Sequence, residues 1–139
     1  LPGTRRAFAS AEHDGRIYVV GGMREQFAPV TDCGFIETRD RSWHEIACPS
    51  TTRFSASLVT VGDTLVLVGG TIAGASDEDA ARVIERYDPA TNTWHTLGTR
   101  VPFETAHLRG FAFSGRLLLV STHAEDRALR LAFIDVRGH

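Results

Sequence analysis

The sequence predicts an all-β chain built as an array of a repeated four-stranded unit. Three observations carry this prediction. The chain has 139 residues, 42% of them hydrophobic and 23% charged, which is the composition of a folded domain with a core. Short β-branched runs alternate with Gly, Asp, Asn and Ser turn signals, and no long stretch has helical periodicity. The same pattern also recurs at a spacing near fifty residues: Gly21 to Gly69 is 48 positions, Gly69 to Ser121 is 52, and Trp43 to Trp94 is 51. A period of that size marks an array of supersecondary units, each too small to bury its own apolar face.

The repeat sets the elements in order. In the first unit, strand A covers 6–13, strand B 17–20, strand C 32–38 and strand D 42–47. The second unit repeats this at 53–61, 64–70, 81–88 and 93–97. The third supplies only A, B and C, at 107–114, 116–121 and 128–135. This divides the chain into units 1–50, 51–101 and an incomplete 102–139. Strand B reads Ile17-Tyr18-Val19-Val20 and Leu65-Val66-Leu67-Val68, apolar at successive positions. Such a strand is expected to be buried on both faces, as in a small sheet held between two neighbours.

Composition excludes several function classes. The formal net charge is -2, so the basic surplus of a nucleic-acid binder is absent. No apolar run approaches the roughly 18 residues that cross a bilayer, so no membrane partner is expected. Every basic residue apart from histidine is Arg, which excludes a Schiff-base lysine and a P-loop lysine. The six histidines are scattered and form no ligand spacing, so no metal and no other cofactor is expected. No nucleophile elbow or phosphate loop appears, and the sequence favours a binding module over an enzyme. Cys33 and Cys48 are too few for a disulfide scaffold, and the default reading is two buried thiols in a cytoplasmic protein. They bracket the first C–D hairpin symmetrically, which leaves a cross-strand disulfide geometrically open.

The ordered set Arg, small and apolar residues, Gly-Arg16-Ile17-Tyr18-Val19-Val20-Gly21-Gly22, then Glu85-Arg86-Tyr87-Asp88-Pro89-Ala90-Thr91-Asn92-Thr93-Trp94 resembles the kelch repeat. The second unit matches along its whole length. The first departs at Ile36-Glu37, and the third carries Ser121-Thr122 in place of the diglycine and has no terminal Trp. The resemblance implies a kelch-type β-propeller segment, with two complete four-stranded blades and an incomplete third. It also implies a role in protein–protein interaction, in particular substrate recognition by a ubiquitin-ligase adaptor. The alternative it carries is a sugar-processing enzyme or carbohydrate binder similar to sialic-acid mutarotases, and a third is a self-assembling propeller fragment.

In kelch adaptors, arginines at the D-to-A connection and in the B-to-C loop bind acidic peptides, and the resemblance places Arg5, Arg6 and Arg53 there, with His107 at the third equivalent. Arg24 and Asp77 lie in the two B-to-C loops, where loop variation on a constant scaffold sets specificity. The guanidinium fork pairs bidentately with a carboxylate, which suits a protein or acidic peptide ligand. The competing reading of these arginines is a repeat residue that tethers neighbouring loops. Two bare blade faces also predict a homo-oligomer that completes the ring.

Overall fold

The structure, a computed structural model, describes residues 3–74, 78–122 and 128–137. Strands β1 (Ala9–His13), β2 (Arg16–Val20), β3 (Cys33–Glu37) and β4 (Trp43–Ile46) form an antiparallel sheet in sequence order. Six strands follow: β5 (Arg53–Phe54), β6 (Ser57–Val61), β7 (Thr64–Val68), β8 (Thr71–Ile72), β9 (Val83–Asp88) and β10 (Thr93–Arg100). Of these, β6-β7-β9-β10 make the second sheet, and β5 pairs with β8 in a two-stranded ladder. The third sheet is β11 (Leu108–Phe113), β12 (Arg116–Thr122) and β13 (Leu129–Ile134). The fold is thus two four-stranded blades and a three-stranded third. Among the described residues no helix is long and apolar enough to cross a membrane.

The innermost strands stand side by side, with β6 touching both β1 and β11. Alternation along β7 then explains its composition. Leu65 and Leu67 pack with Ala9, Tyr18, Val20 and Tyr87 between the first two sheets. Val66 and Val68 pack with Leu108, Leu117, Leu119 and Ile134 between the second and third. Both faces of β7 are buried, so it has no polar side to spare. The two end faces have no such cover. Phe111, Phe113, Leu129, Leu131 and Phe133 are exposed on the third sheet, and Ile17 on the first.

Register corrects the alignment of the repeats. Ala9 pairs with Val20, Ser57 with Val68, and Arg109 with Val120. These pairs make Arg5, Arg53 and Thr105 equivalent, each sixteen residues before Gly21, Gly69 or Ser121. Arg6 therefore corresponds to Phe54, not to Arg53, and His107 to Ala7 and Ser55. The error comes from the A–B turns. Asp14 and Gly15 both have positive φ, as do Ser114 and Gly115, whereas in the second blade the positive-φ glycine is Gly62, the first turn residue. An alignment anchored on that glycine slips by one.

Strand A of the second unit is not the continuous 53–61 run the sequence predicts. Ser55 has φ of +56° and breaks it into β5 and β6, and Ala7 has φ of +56° at the same place in the first blade. The kink lets neighbouring connections bond to each other, with Ser55 N donating to Ala7 O at 2.8 Å. The diglycines serve close approach. Gly21 has φ of +69°, and a Cβ there would lie 2.6 Å from Arg53 O. Where Ser121-Thr122 replaces the pair, β12 continues to pair, Ser121 with Arg130 and Thr122 with Leu129.

The cysteines are also corrected. Cys33 and Cys48 form a disulfide, with Cα atoms 5.4 Å apart, in place of two thiols. Cys33 lies opposite Ile46 in the β3–β4 ladder, and Cys48, two residues past Ile46, bonds to it across the strands.

Candidate functional site

In the first two blades the D-to-A connection is tied by a side chain to the end of strand B in the same blade. Its first anchor is the buried arginine. Arg53, whose side chain is 1% exposed, donates to the carbonyls of Gly69 and Ala81 at 3.1 Å each and to Val83 at 2.6 Å. Its Nε donates to Thr51 Oγ1 at 2.9 Å, and its Nη2 lies 3.5 Å from Glu85 Oε2. Burial pulls the Arg53 guanidinium below its usual range, and Glu85 opposes that shift. Glu85 also accepts from Ser50 N, Ser50 Oγ and Thr51 Oγ1. The side chain therefore links strands β7 and β9 to the connection arriving from the first blade.

Arg5 repeats the arrangement with a different acid. Its side chain is 0% exposed and donates to the Asp32 carbonyl at 3.1 Å and to Asp32 Oδ2 at 2.8 Å. The residue equivalent to Glu85 is Gly34, and Trp43 lies over it, so no carboxylate fits there. The residue equivalent to Thr51 is Gly3, which has no hydroxyl. Arg5 Nε is accordingly one of two buried donors without a partner among the described residues, and Trp43 Nε1 is the other. Trp94, the equivalent of Trp43, donates its Nε1 to Ala47 O of the preceding blade at 2.7 Å. At the equivalent place in the third blade Thr105 Oγ1 donates to Gly70 O of the second blade at 3.1 Å, a tie between blades rather than within one.

Of the sequence-predicted site residues, Arg5 and Arg53 thus lie in the interior as tethers. Arg6 and Arg24 are the ones that reach an opening. A recess of about 320 Å³ is lined by Thr4, Arg5, Arg6, Met23, Arg24 and Glu25, with Gln26 closing it. Arg6 is fixed through its backbone, exchanging hydrogen bonds with Met23 at 2.9 and 2.8 Å. Its guanidinium lies over the Phe27 ring at 5.5 Å and, among the described residues, pairs with no carboxylate. Arg24 Nη2 donates to Asp32 Oδ1 at 3.3 Å, and its Nη1 to Thr4 O at 3.1 Å. Asp32 therefore sits between two guanidinium groups. His107 is exposed on the turn before β11, in the third blade and away from this recess. Asp77 lies outside the described residues.

Two residues of the site were missed from the sequence. Asp32 was read only as the start of a strand, although a carboxylate at the end of the loop that carries Arg24 was a usable signal. Phe27 is 68% exposed and, like Gln26, has positive φ, at +61° and +56°. Nothing in the periodicity marks it, because it belongs to a loop outside the repeat.

Stacked antiparallel sheets with crowded inner strands, a buried arginine in the first two connections and, in the second sheet, a tryptophan wedged against the sheet before it define a segment of a β-propeller. The comparisons name the class: the kelch motif model matches residues 52–99. Kelch-like protein 25 of Xenopus tropicalis is 28% identical over 126 residues, covering 83% of this chain and 21% of that protein. Kelch repeat and BTB domain-containing protein 13 of Homo sapiens is 31% identical over 80 residues, covering 57% of this chain and 17% of that protein. The solved structure of YjhT superposes with a TM-score of 0.68 at 21% identity, covering 86% of this chain and 36% of that one. The chain thus carries a kelch motif at residues 52–99, and it spans about a fifth of the length of the kelch-like relatives it matches.

Proposed function

We propose that this chain is a protein-interaction module that takes a carboxylate of an acidic peptide in the recess between Arg6 and Arg24. One observation carries the reading. Arg6 is the exposed arginine of the pair, is held at its backbone by Met23 and lines the recess, and its guanidinium over the Phe27 ring pairs with no carboxylate among the described residues. Charge-assisted bidentate pairing is strongest where the fork is already positioned and partly desolvated. Phe27 supplies an apolar wall beside the charge.

The similarity to kelch-like relatives supports a protein ligand and, as the finer reading, the substrate-recognition part of a ubiquitin-ligase adaptor in the cytoplasm. The open end faces seat further propeller blades, and a second copy of the chain supplies them when it is alone. A carboxylate also occurs on acidic sugars, so the test needs both arms. Calorimetric titration of the chain with a Glu- and Asp-rich peptide, its Gln and Asn counterpart, and sialic acid separates them. The reading expects saturable binding of the acidic peptide that weakens with salt. Binding of sialic acid alone would replace it with the carbohydrate reading, and no binding of either would overturn the site.

A further inference from the structure

The Cys33–Cys48 disulfide lies where two networks meet. Cys33 is 4% exposed in the apolar cluster between the first two blades, and Cys48 is exposed. On one side, Asp32 precedes Cys33 in sequence and holds both Arg5 and Arg24. On the other, residues 47–51 surround Cys48 and carry the polar ties to the second blade. Ala47 N donates to Asn92 Oδ1 at 2.9 Å, and Ala47 O accepts from Trp94 Nε1 at 2.7 Å. Ser50 N and Thr51 Oγ1 donate to Glu85 at 2.8 and 2.7 Å. Beneath the segment lies a cavity of about 110 Å³ lined in part by Thr31, Cys33, Cys48 and Pro49. The segment therefore has space to move into and only the disulfide fixes it covalently to β3.

We infer that Cys33–Cys48 is a redox latch, and that a dithiol reductant releases the 47–51 segment and loosens the junction between the first two blades. The inference is independent of the peptide-binding reading, although Asp32 gives reduction a route to the Arg24 side of the recess. Cys48, the exposed cysteine of the pair, is the point of attack. A dithiol thiolate bonds to Cys48 Sγ, the S–S bond breaks, and Cys33 leaves and takes a proton in its apolar surroundings. The second thiol of the reductant then displaces Cys48 and closes its own disulfide. Two electrons and two protons pass to the protein, and the reductant is oxidised to its cyclic disulfide. A cytoplasmic location would place the latch under just such a thiol pool.

The test is amide hydrogen exchange on the full chain, oxidised and after dithiothreitol, with Trp94 emission read alongside in a Trp43→Phe chain. Reduction is expected to speed exchange at Ala47 and Ser50 by at least tenfold and to shift Trp94 emission to the red. Amides of β6 and β7 should keep their protection. Cys48→Ser should resemble the reduced chain and ignore dithiothreitol. Unchanged exchange at Ala47 and Ser50 would overturn the latch, and so would free thiols in the chain as isolated under air. Loss of protection in β6 and β7 together with residues 47–51 would overturn it too, because the bond would then be a staple of the whole fold.

Discussion

Arg53 and Glu85 are an ion pair in the interior of the second blade, 3.5 Å apart with both side chains 1% exposed. The pair is surrounded by hydrogen-bonding groups, which is the condition under which a buried pair is tolerated. Removing one partner strands the other. Arg53→Ala is expected to cost about 3–5 kcal/mol in chemical denaturation. Arg5→Ala should cost less, about 1–3 kcal/mol, because Asp32 keeps Arg24 and is partly open to solvent. Equal losses at the two positions would show that the tether does not depend on its acid.

Trp94 packs 4.9 Å from the Tyr87 ring and donates to Ala47 O across the blade junction. Trp94→Ala should destabilise by about 3 kcal/mol, and Trp94→Phe by less, since an aromatic ring is kept while the hydrogen bond and part of the buried volume are lost. A loss below about 1 kcal/mol for the Ala variant would place the indole on the rim rather than in the junction.

How much of this was legible in the sequence follows from where each feature draws its constraint. The run Leu65-Val66-Leu67-Val68 gave away its burial because a strand packed on both faces must be apolar at every position. Trp94 was legible as a wedge because the repeat carried it. The slip between Arg6 and Arg53 comes from anchoring on the A–B turns, where Asp14-Gly15 and Gly62-Asp63 place their glycines at different positions; the 48-residue spacing of Gly21 and Gly69 already sets Arg5 against Arg53, and the pairing of Ala9 with Val20 and Ser57 with Val68 agrees with it. Cys33 and Cys48 were seen to be symmetric about the hairpin, yet whether they bond depends on the path after Ile46, which no local pattern encodes. Phe27 belongs to a loop whose conformation is set by tertiary contacts.

The Tyr87 hydroxyl titrates above its ordinary value, pushed up to about 12 chiefly by burial and then by Tyr18 and Asp88. A proton held more tightly in the folded state stabilises the fold fully below pH 10 and less as the unfolded tyrosine ionises. Stability should therefore fall between about pH 10 and 12, and Tyr87→Phe should remove part of that loss. Identical alkaline profiles for the two chains, followed by circular dichroism, would contradict the burial of this hydroxyl as its cause.

The exposed row Phe111, Phe113, Leu129, Leu131 and Phe133 forms an apolar face of the kind that blades one and two bury against their neighbours. Sedimentation of the chain alone should show reversible self-association, and Phe111→Ser with Leu131→Ser should reduce it. A stable monomer with no affinity for an apolar dye would contradict the self-association reading.

The central claim is a division of labour between arginines: Arg53 holds the blade together and Arg6 meets the ligand. Titrating the acidic peptide into Arg6→Ala and Arg53→Ala, with thermal unfolding of each, tests it most directly. The account predicts that Arg6→Ala unfolds like the parent chain and loses at least tenfold in affinity and part of the salt dependence. It predicts that Arg53→Ala unfolds at lower temperature and, where still folded, binds as the parent does. Undiminished binding by a folded Arg6→Ala, or lost binding by a folded Arg53→Ala, would contradict it.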